Sequence, residues 1–132
     1  MSAMQALQTA IYARLTGDAA LTALIGTNGV HDRLLTRNEA PYVRIAGIET
    51  RDWSTASEPG EEHLVTLEVR SGEGGHRATQ QIAARIRALL DDAALSLTGA
   101  ALVNLRHQRT RTGRDAKAKG HVAEMVFRAV TE

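Results

Sequence analysis

Hydrophobic and polar residues alternate most regularly in residues 63–70, which follow a long polar loop near the middle of the chain. One side of this run carries His63, Val65, Leu67 and Val69, and the other carries Leu64, Thr66, Glu68 and Arg70. A period of two with one apolar side is typical of a half-buried strand. The run therefore predicts a strand near the centre of the fold.

A second strand-like run, residues 41–50, precedes the same loop. Val43 and Ile45 fall on one face, but Ile48 falls on the other face unless a bulge intervenes. Gly47 would permit such a bulge, because glycine in a strand often marks one. The two runs together predict a hairpin whose connection is much longer than a two-residue turn.

Helical spacing appears in three other places. Residues 3–16 predict a first helix, residues after Asp18 a second short helix capped by that aspartate, and residues 76–91 a third helix. The apolar positions expected to face inward are Met4, Leu7, Ile11 and Leu15 in the first helix, Leu21, Leu24 and Ile25 in the second, and Ala78, Ile82, Ile86, Leu89 and Leu90 in the third.

Three more runs complete the predicted sheet. Residues 30–34 favour a short edge strand, and residues 101–111 a strand with Val103 and Leu105 on one face. Residues 121–130 favour a strand with apolar residues on both faces, which would be natural if another subunit covers the second face. We expect a single α+β domain over residues 1–132, with an antiparallel or mixed sheet of four to five strands and two main helices packed on one face.

Composition argues against most catalytic chemistry. The chain has 16 basic and 15 acidic residues, five scattered histidines and no cysteine. No histidine pair has a metal-ligand spacing, and no serine lies in a nucleophile-elbow context. We therefore expect no catalytic residue, metal or cofactor. Neither a membrane-spanning run nor a secretion signal is evident, so we expect a soluble intracellular product.

The loop between the central strands holds the only tryptophan. We predict a partner-binding site at Arg51, Asp52, Trp53 and Ser54, because tryptophan is enriched at interface hot spots. The alternative is that Trp53 folds back over the edge of the sheet as a lid.

Positive charge is concentrated in residues 106–119, which carry a net charge of +5 while the rest of the chain carries −4. Residues 112–120 predict a mobile hairpin loop. The basic positions of interest are Arg109, Arg111, Arg114, Lys117 and Lys119. They could contact DNA phosphates, dock on an acidic protein surface, or form a solvated loop without a further role.

Several segments in order resemble the small tail-completion proteins of tailed phages and gene transfer agents, which include tail terminators and minor tail proteins. They are residues 7–15 (LQTAIYARL), 18–21 (DAAL), 41–43 (PYV), 52–55 (DWST), 60–63 (GEEH), 102–106 (LVNLR) and 127–132 (FRAVTE). The resemblance spans nearly the whole chain, although no single segment is as specific as a catalytic motif.

The resemblance implies a structural protein that assembles as a ring, expected to contain six copies, on the end of the tail tube. Its implied partners are further copies of itself, the major tail tube protein and the connector or stopper protein of the head. The resemblance carries over no role for the basic loop; our hypothesis is that in such a ring its residues line a lumen and touch passing DNA transiently. Assembly would take place in the cytoplasm of the producing bacterium, followed by incorporation at the head–tail junction. A head-completion protein, or a small ligand-binding or enzymatic α+β domain, remains the alternative.

Overall fold

The computed structural model of the protein describes residues 2–35, 41–72, 74–115, 117 and 119–132. Three helices and five strands follow one another in the predicted order. They are α1 (Ala3–Thr16), α2 (Ala19–Ile25), β1 (Val30–His31), β2 (Tyr42–Asp52), β3 (Glu61–Ser71), α3 (His76–Leu90), β4 (Leu102–Asp115) and β5 (Gly120–Thr131).

The strands form one mixed sheet in the order β1-β2-β3-β5-β4. β1 runs parallel to β2, and every other pairing is antiparallel. α1 and α3 contact each other, and α3 packs against β3, β4 and β5. The core between helices and sheet includes Leu67, Met125 and Phe127, all with no exposed surface. The predicted α+β architecture is thereby confirmed.

The predicted bulge in β2 is present. Ile45 pairs with Leu67 and Gly47 pairs with Thr66, so Ala46 is the extra residue. An extra residue restores the inward direction of the following side chains. Ile48 accordingly packs against the same core as Ile45.

A second bulge makes one prediction wrong. In β4 the pairing shifts between Leu102 and Asn104, which leaves Val103 as the extra residue. Val103 is 52% exposed while Leu105 is fully buried, so the two do not share a face. Nothing in the alternation of that segment signals the shift.

The helices begin near the predicted residues. The Asp18 carboxylate accepts a hydrogen bond from the Leu21 backbone N–H at 2.8 Å and so caps α2. Leu21 is buried, but Leu24 is 38% exposed and does not face inward as predicted. The predicted strand at 30–34 contains only Val30–His31, and Leu34 is 51% exposed. None of the described helices is long and apolar enough to cross a membrane.

The face of the sheet away from the helices, called here the open face, carries charged and apolar residues together. Arg44 contacts Glu68 at 2.7 Å, and Arg70 contacts both Glu68 and Asp115. Val122 and Val126 lie on the same face and are partly buried. Both faces of β5 therefore hold apolar side chains, as its sequence indicates.

Candidate interaction surfaces at the two ends of the sheet

The loop between β2 and β3 presents Trp53 at one end of the sheet. Its side chain is 47% exposed, and the guanidinium groups of Arg51 and Arg128 lie 5.0 and 5.2 Å from the ring centroid. Glu62 accepts hydrogen bonds from both arginines, each at 2.5 Å. We call residues 51–54 with Glu62 and Arg128 the Trp53 surface. Two cations that share one carboxylate thus lie over the ring, with about half of the side chain open to solvent.

Charge within the Trp53 surface is balanced locally. Hydrogen bonds from Arg51 and Arg128 hold the pKa of Glu62 below its usual value, and the attraction of the same cations acts in that direction too. Glu62 itself is only 5% exposed. Each cation is therefore fixed in place by a buried carboxylate, which orients both guanidiniums toward the tryptophan ring.

The loop beside Trp53 is closed by its own hydrogen bonds. The Asp52 carboxylate accepts from the Ser54 backbone N–H at 3.0 Å and from the Ser54 hydroxyl at 2.6 Å. The Ser54 hydroxyl holds the pKa of Asp52 below its usual value, with its N–H adding to the effect. Across the loop, Trp53 N–H donates to the Gly60 carbonyl at 2.9 Å. The loop thus presents Trp53 from a defined backbone rather than a mobile chain.

Of the five basic residues singled out in the sequence, Arg109 lies near the middle of the sheet, and the other four lie toward the end opposite Trp53. Arg109, Arg111 and Arg114 are in β4, which extends to Asp115, so the prediction of a loop over 112–120 is wrong for residues 112–115. Lys117 and Lys119 are exposed in the connection to β5, where Ala116 and Ala118 lie outside the described residues. We call these five residues the basic surface.

Within the basic surface, the arginines differ in their contacts. Arg109 contacts Glu124 at 3.2 Å on the neighbouring strand. Arg111 and Arg114 line an open depression of about 460 Å³ whose walls also include Arg70, Lys117 and Glu124. The depression is open and carries four basic and two acidic residues, which suits the side of an extended anion or an acidic protein surface better than an enclosed small ligand.

The two surfaces lie at opposite ends of one rigid element. β3 begins beside Asp52 and Thr131, and it ends beside His121 next to the β4–β5 connection. Its 11 residues span roughly 33 Å. A single subunit can therefore meet one partner at the Trp53 surface and another at the basic surface.

Two residues of the Trp53 surface were not found in the sequence. They are Glu62 and Arg128, neither of which stands out in the local sequence pattern as a site residue. They meet only because β3 and β5 pair with Glu62 opposite Val130 and Leu64 opposite Arg128. A contact made across three strands leaves no signal in local spacing.

Elsewhere, histidine serves packing. His63 is fully buried, and its two ring nitrogens lie 2.7 Å from the Thr50 hydroxyl and 2.9 Å from the Thr131 hydroxyl. Among the described residues, no group of three or more histidine and acidic side chains is arranged to hold a metal ion.

Comparison with known proteins agrees with this architecture. The family model of the tail completion protein gp17 matches residues 9–132. The chain therefore belongs to this family of tail-completion proteins, and the resemblance found in its sequence is confirmed.

Solved structures add a close relative. A chain in the virion of a native gene transfer agent particle is 31% identical, superposes with a TM-score of 0.88, and matches over 100% of this chain and 99% of its own. A further solved chain, 16% identical, superposes with a TM-score of 0.63 over 100% and 97% of the two lengths, which shows likeness of fold alone. No curated protein matches the chain.

Proposed function

We propose that this protein forms a homo-oligomeric ring on the end of a completed tail tube, stops tube growth, and joins the tail to the connector of the head. Membership of the tail-completion family is the observation that carries this proposal. The similar chain in a gene transfer agent virion supports a place in a tailed particle of that kind. A closed ring suits the task, because head-to-tail contacts that close by rotation cap a polymer instead of extending it.

The separation of the two surfaces supports a joining role. A ring whose subunits all point the same way would present every Trp53 surface on one side and every basic surface on the other. The Trp53 surface has the character of a protein contact, since a half-exposed tryptophan flanked by arginines combines two residue types enriched at hot spots. We assign it to the tail tube or to the connector.

The basic surface is assigned to the lumen or to its rim. Arg111, Arg114 and Lys117 would meet DNA phosphates with weak, salt-dependent contacts that do not depend on sequence. Such contacts would let DNA pass without trapping it. Reversing the charge of Arg114 and Lys117 should impair DNA delivery by assembled particles, and normal delivery would refute the assignment.

Deleting the gene from a producing cell tests the main proposal. Overlong or headless tails seen by electron microscopy would support a tail terminator, because tube growth would have lost its stop. Tails of normal length beside unjoined or leaking heads would support the second candidate, a head-completion protein. Wholly normal particles would refute both structural functions and favour a ligand-binding or enzymatic domain.

A further inference from the structure

Both edges of the sheet are partly capped by the chain itself. On β4, the Leu105 carbonyl accepts from the Asp92 N–H at 2.7 Å, and the His107 N–H donates to the Asp91 carboxylate at 2.9 Å. On β2, the Val43 N–H donates to the Gly29 carbonyl at 2.8 Å beside β1. Free strand edges attract other strands, so such caps limit unwanted pairing.

The caps leave one short stretch open on each edge. His107 pairs with Phe127 and directs its N–H away from β5, and Thr110 and Thr112 pair with Met125 and Ala123, which have the same parity. Alternation in an antiparallel ladder therefore turns the N–H and C=O of Thr110 and Thr112 outward as well. The same reasoning from Val43 turns those of Ile48 and Thr50 outward on β2. Within the described ranges, no strand pairs with either stretch.

We propose that these two stretches pair with each other between adjacent copies of this chain, so that the open stretch of β4 in one subunit continues the sheet at β2 of the next. The inference rests on the proposed ring and adds its mode of closure. In an antiparallel register, Ile48 meets Thr112, Thr50 meets Thr110, and Glu49 meets Arg111.

Charge favours this register. Glu49 and Arg111 are both exposed, and neither has an ion-pair partner among the residues that the structure describes. The register puts them directly opposite each other on the open face, where opposite charges stabilise a strand pair. Gly47 and Gly113 also face each other in this register. A Cβ atom added to either glycine would have no other atom within 4 Å in the single subunit.

Charge also disfavours symmetric dimers. Two β4 stretches paired through Thr110 and Thr112 would place Arg111 against Arg111 at the twofold axis. Two β2 stretches paired through Ile48 and Thr50 would place Glu49 against Glu49. Like charges directly opposite destabilise a strand pair. In these registers, pairing of β4 with β4 or of β2 with β2 is therefore disfavoured relative to pairing of β4 with β2. Head-to-tail pairing of β4 with β2 avoids both repulsions, and it is the kind of contact from which rings are built.

The stagger of this register agrees with a closed sheet. Within one subunit, Glu49 lies in line with Leu64, Arg128 and Arg106, whereas it would pair with Arg111 of the neighbour. Arg111 is five residues further along β4, but Gln108 is the extra residue of a bulge, so the offset is four ladder positions. This is roughly 13 Å along the strands for about 19 Å across four strand spacings. The resulting tilt of roughly 34° is close to the 35–45° usual for strands of a closed barrel.

Cysteine cross-linking tests the register, and the chain has no cysteine to interfere. The variant with both Glu49→Cys and Arg111→Cys should form a ladder of multimers when purified particles are oxidised, because facing residues of a strand pair lie within disulfide range. Within one subunit, β3 and β5 separate the two positions, so an internal disulfide is excluded. Each single variant, and Glu49→Cys combined with Val103→Cys, should remain monomeric on a non-reducing gel.

A charge exchange provides the second measurement. Glu49→Arg or Arg111→Glu alone should weaken each subunit contact about two- to fivefold, and the loss should multiply around the ring. The double exchange should restore the yield of joined particles. Ladders from single cysteine variants, no ladder in particles with tails of normal length, or no restoration by the exchange would each overturn edge pairing while leaving the proposed function intact. The proposed function fails instead if deletion of the gene leaves tails normal and joined.

Discussion

Replacing Trp53 by alanine should separate partner binding from folding. The ring contacts two guanidiniums at 5.0 and 5.2 Å and is already 47% exposed. A cation–π contact at an exposed site contributes about 0.5–1 kcal/mol, so the loss of both lowers the free energy of unfolding by about 1–2 kcal/mol. Domains usually have about 5–15 kcal/mol, and Trp53→Ala should therefore remain folded.

Binding should suffer more than stability. Truncating a hot-spot tryptophan costs about 2 kcal/mol or more of binding free energy, which is about a 30-fold loss of affinity at each subunit. We expect a deletion strain supplied with Trp53→Ala to give few joined particles, while urea unfolding of the purified variant shows the small loss above. Leu24→Ala is the matched control, because Leu24 is a large exposed apolar residue on α2, outside both surfaces.

Two results would refute this reasoning. If Trp53→Ala supports as many joined particles as the unaltered protein, Trp53 packs on its arginines without meeting a partner. If its free energy of unfolding falls by far more than about 2 kcal/mol, then assembly fails through folding and the surface has not been tested. In that second case Trp53→Phe, which keeps an aromatic ring beside the two cations, should restore stability and so decide whether the indole itself is needed.

Three further predictions concern stability and are checked by chemical denaturation. Burial lowers the pKa of His63 below 6.5, so the folded protein keeps this side chain neutral at a pH where the unfolded chain protonates it. The free energy of unfolding should therefore fall as the pH is lowered from about 7 to 5. His63→Gln should flatten this dependence and His76→Gln, an exposed control, should not; equal pH profiles for both would contradict the assignment. A Cβ atom at Gly120 would overlap the Ser71 carbonyl oxygen, whereas Gly113 on the paired strand has open space around it. Gly120→Ala should therefore lower the free energy of unfolding by about 1–3 kcal/mol and Gly113→Ala by little. Similar losses in the two variants would be inconsistent with this packing. Phe127 is fully buried, so Phe127→Ala should cost about 3–5 kcal/mol, while Val126→Ala on the open face should cost clearly less.

Elements with a strong local period were predictable from sequence. The alternation in residues 63–70 correctly predicts which side chains of β3 face the core. Asp18 marks the start of α2, because a capping carboxylate accepts a hydrogen bond from the backbone N–H three residues later. Gly47 marked the bulge in β2 because Ile48 had to be brought back to the core. Each of these signals depends on a few neighbouring residues.

The features that sequence did not predict depend on pairing between distant strands. Val103 turns outward because β5 pairs with the residues on either side of it. Residues 112–115 extend β4 because β5 offers partners for them, although their glycine and charged side chains favour a loop. Glu62 joins Arg51 and Arg128 for the same reason. Single-sequence patterns describe one strand at a time and cannot contain the register between strands.

The shortness of the open edges bears on when a ring would form. In the proposed register only two residues on each edge, Ile48 and Thr50 on β2 and Thr112 and Thr110 on β4, would exchange backbone hydrogen bonds with the neighbour. A contact of that size between two free subunits has to offset the lost translational and rotational freedom of both, and alone it is weak. In the proposed ring on the end of a tail tube, each added subunit would also contact the tube, and the second contact would then form at high effective concentration. The purified protein should therefore sediment as a monomer at micromolar concentration and close only on its target. Stable free rings at that concentration would mean that a larger interface than the strand edges holds the subunits together.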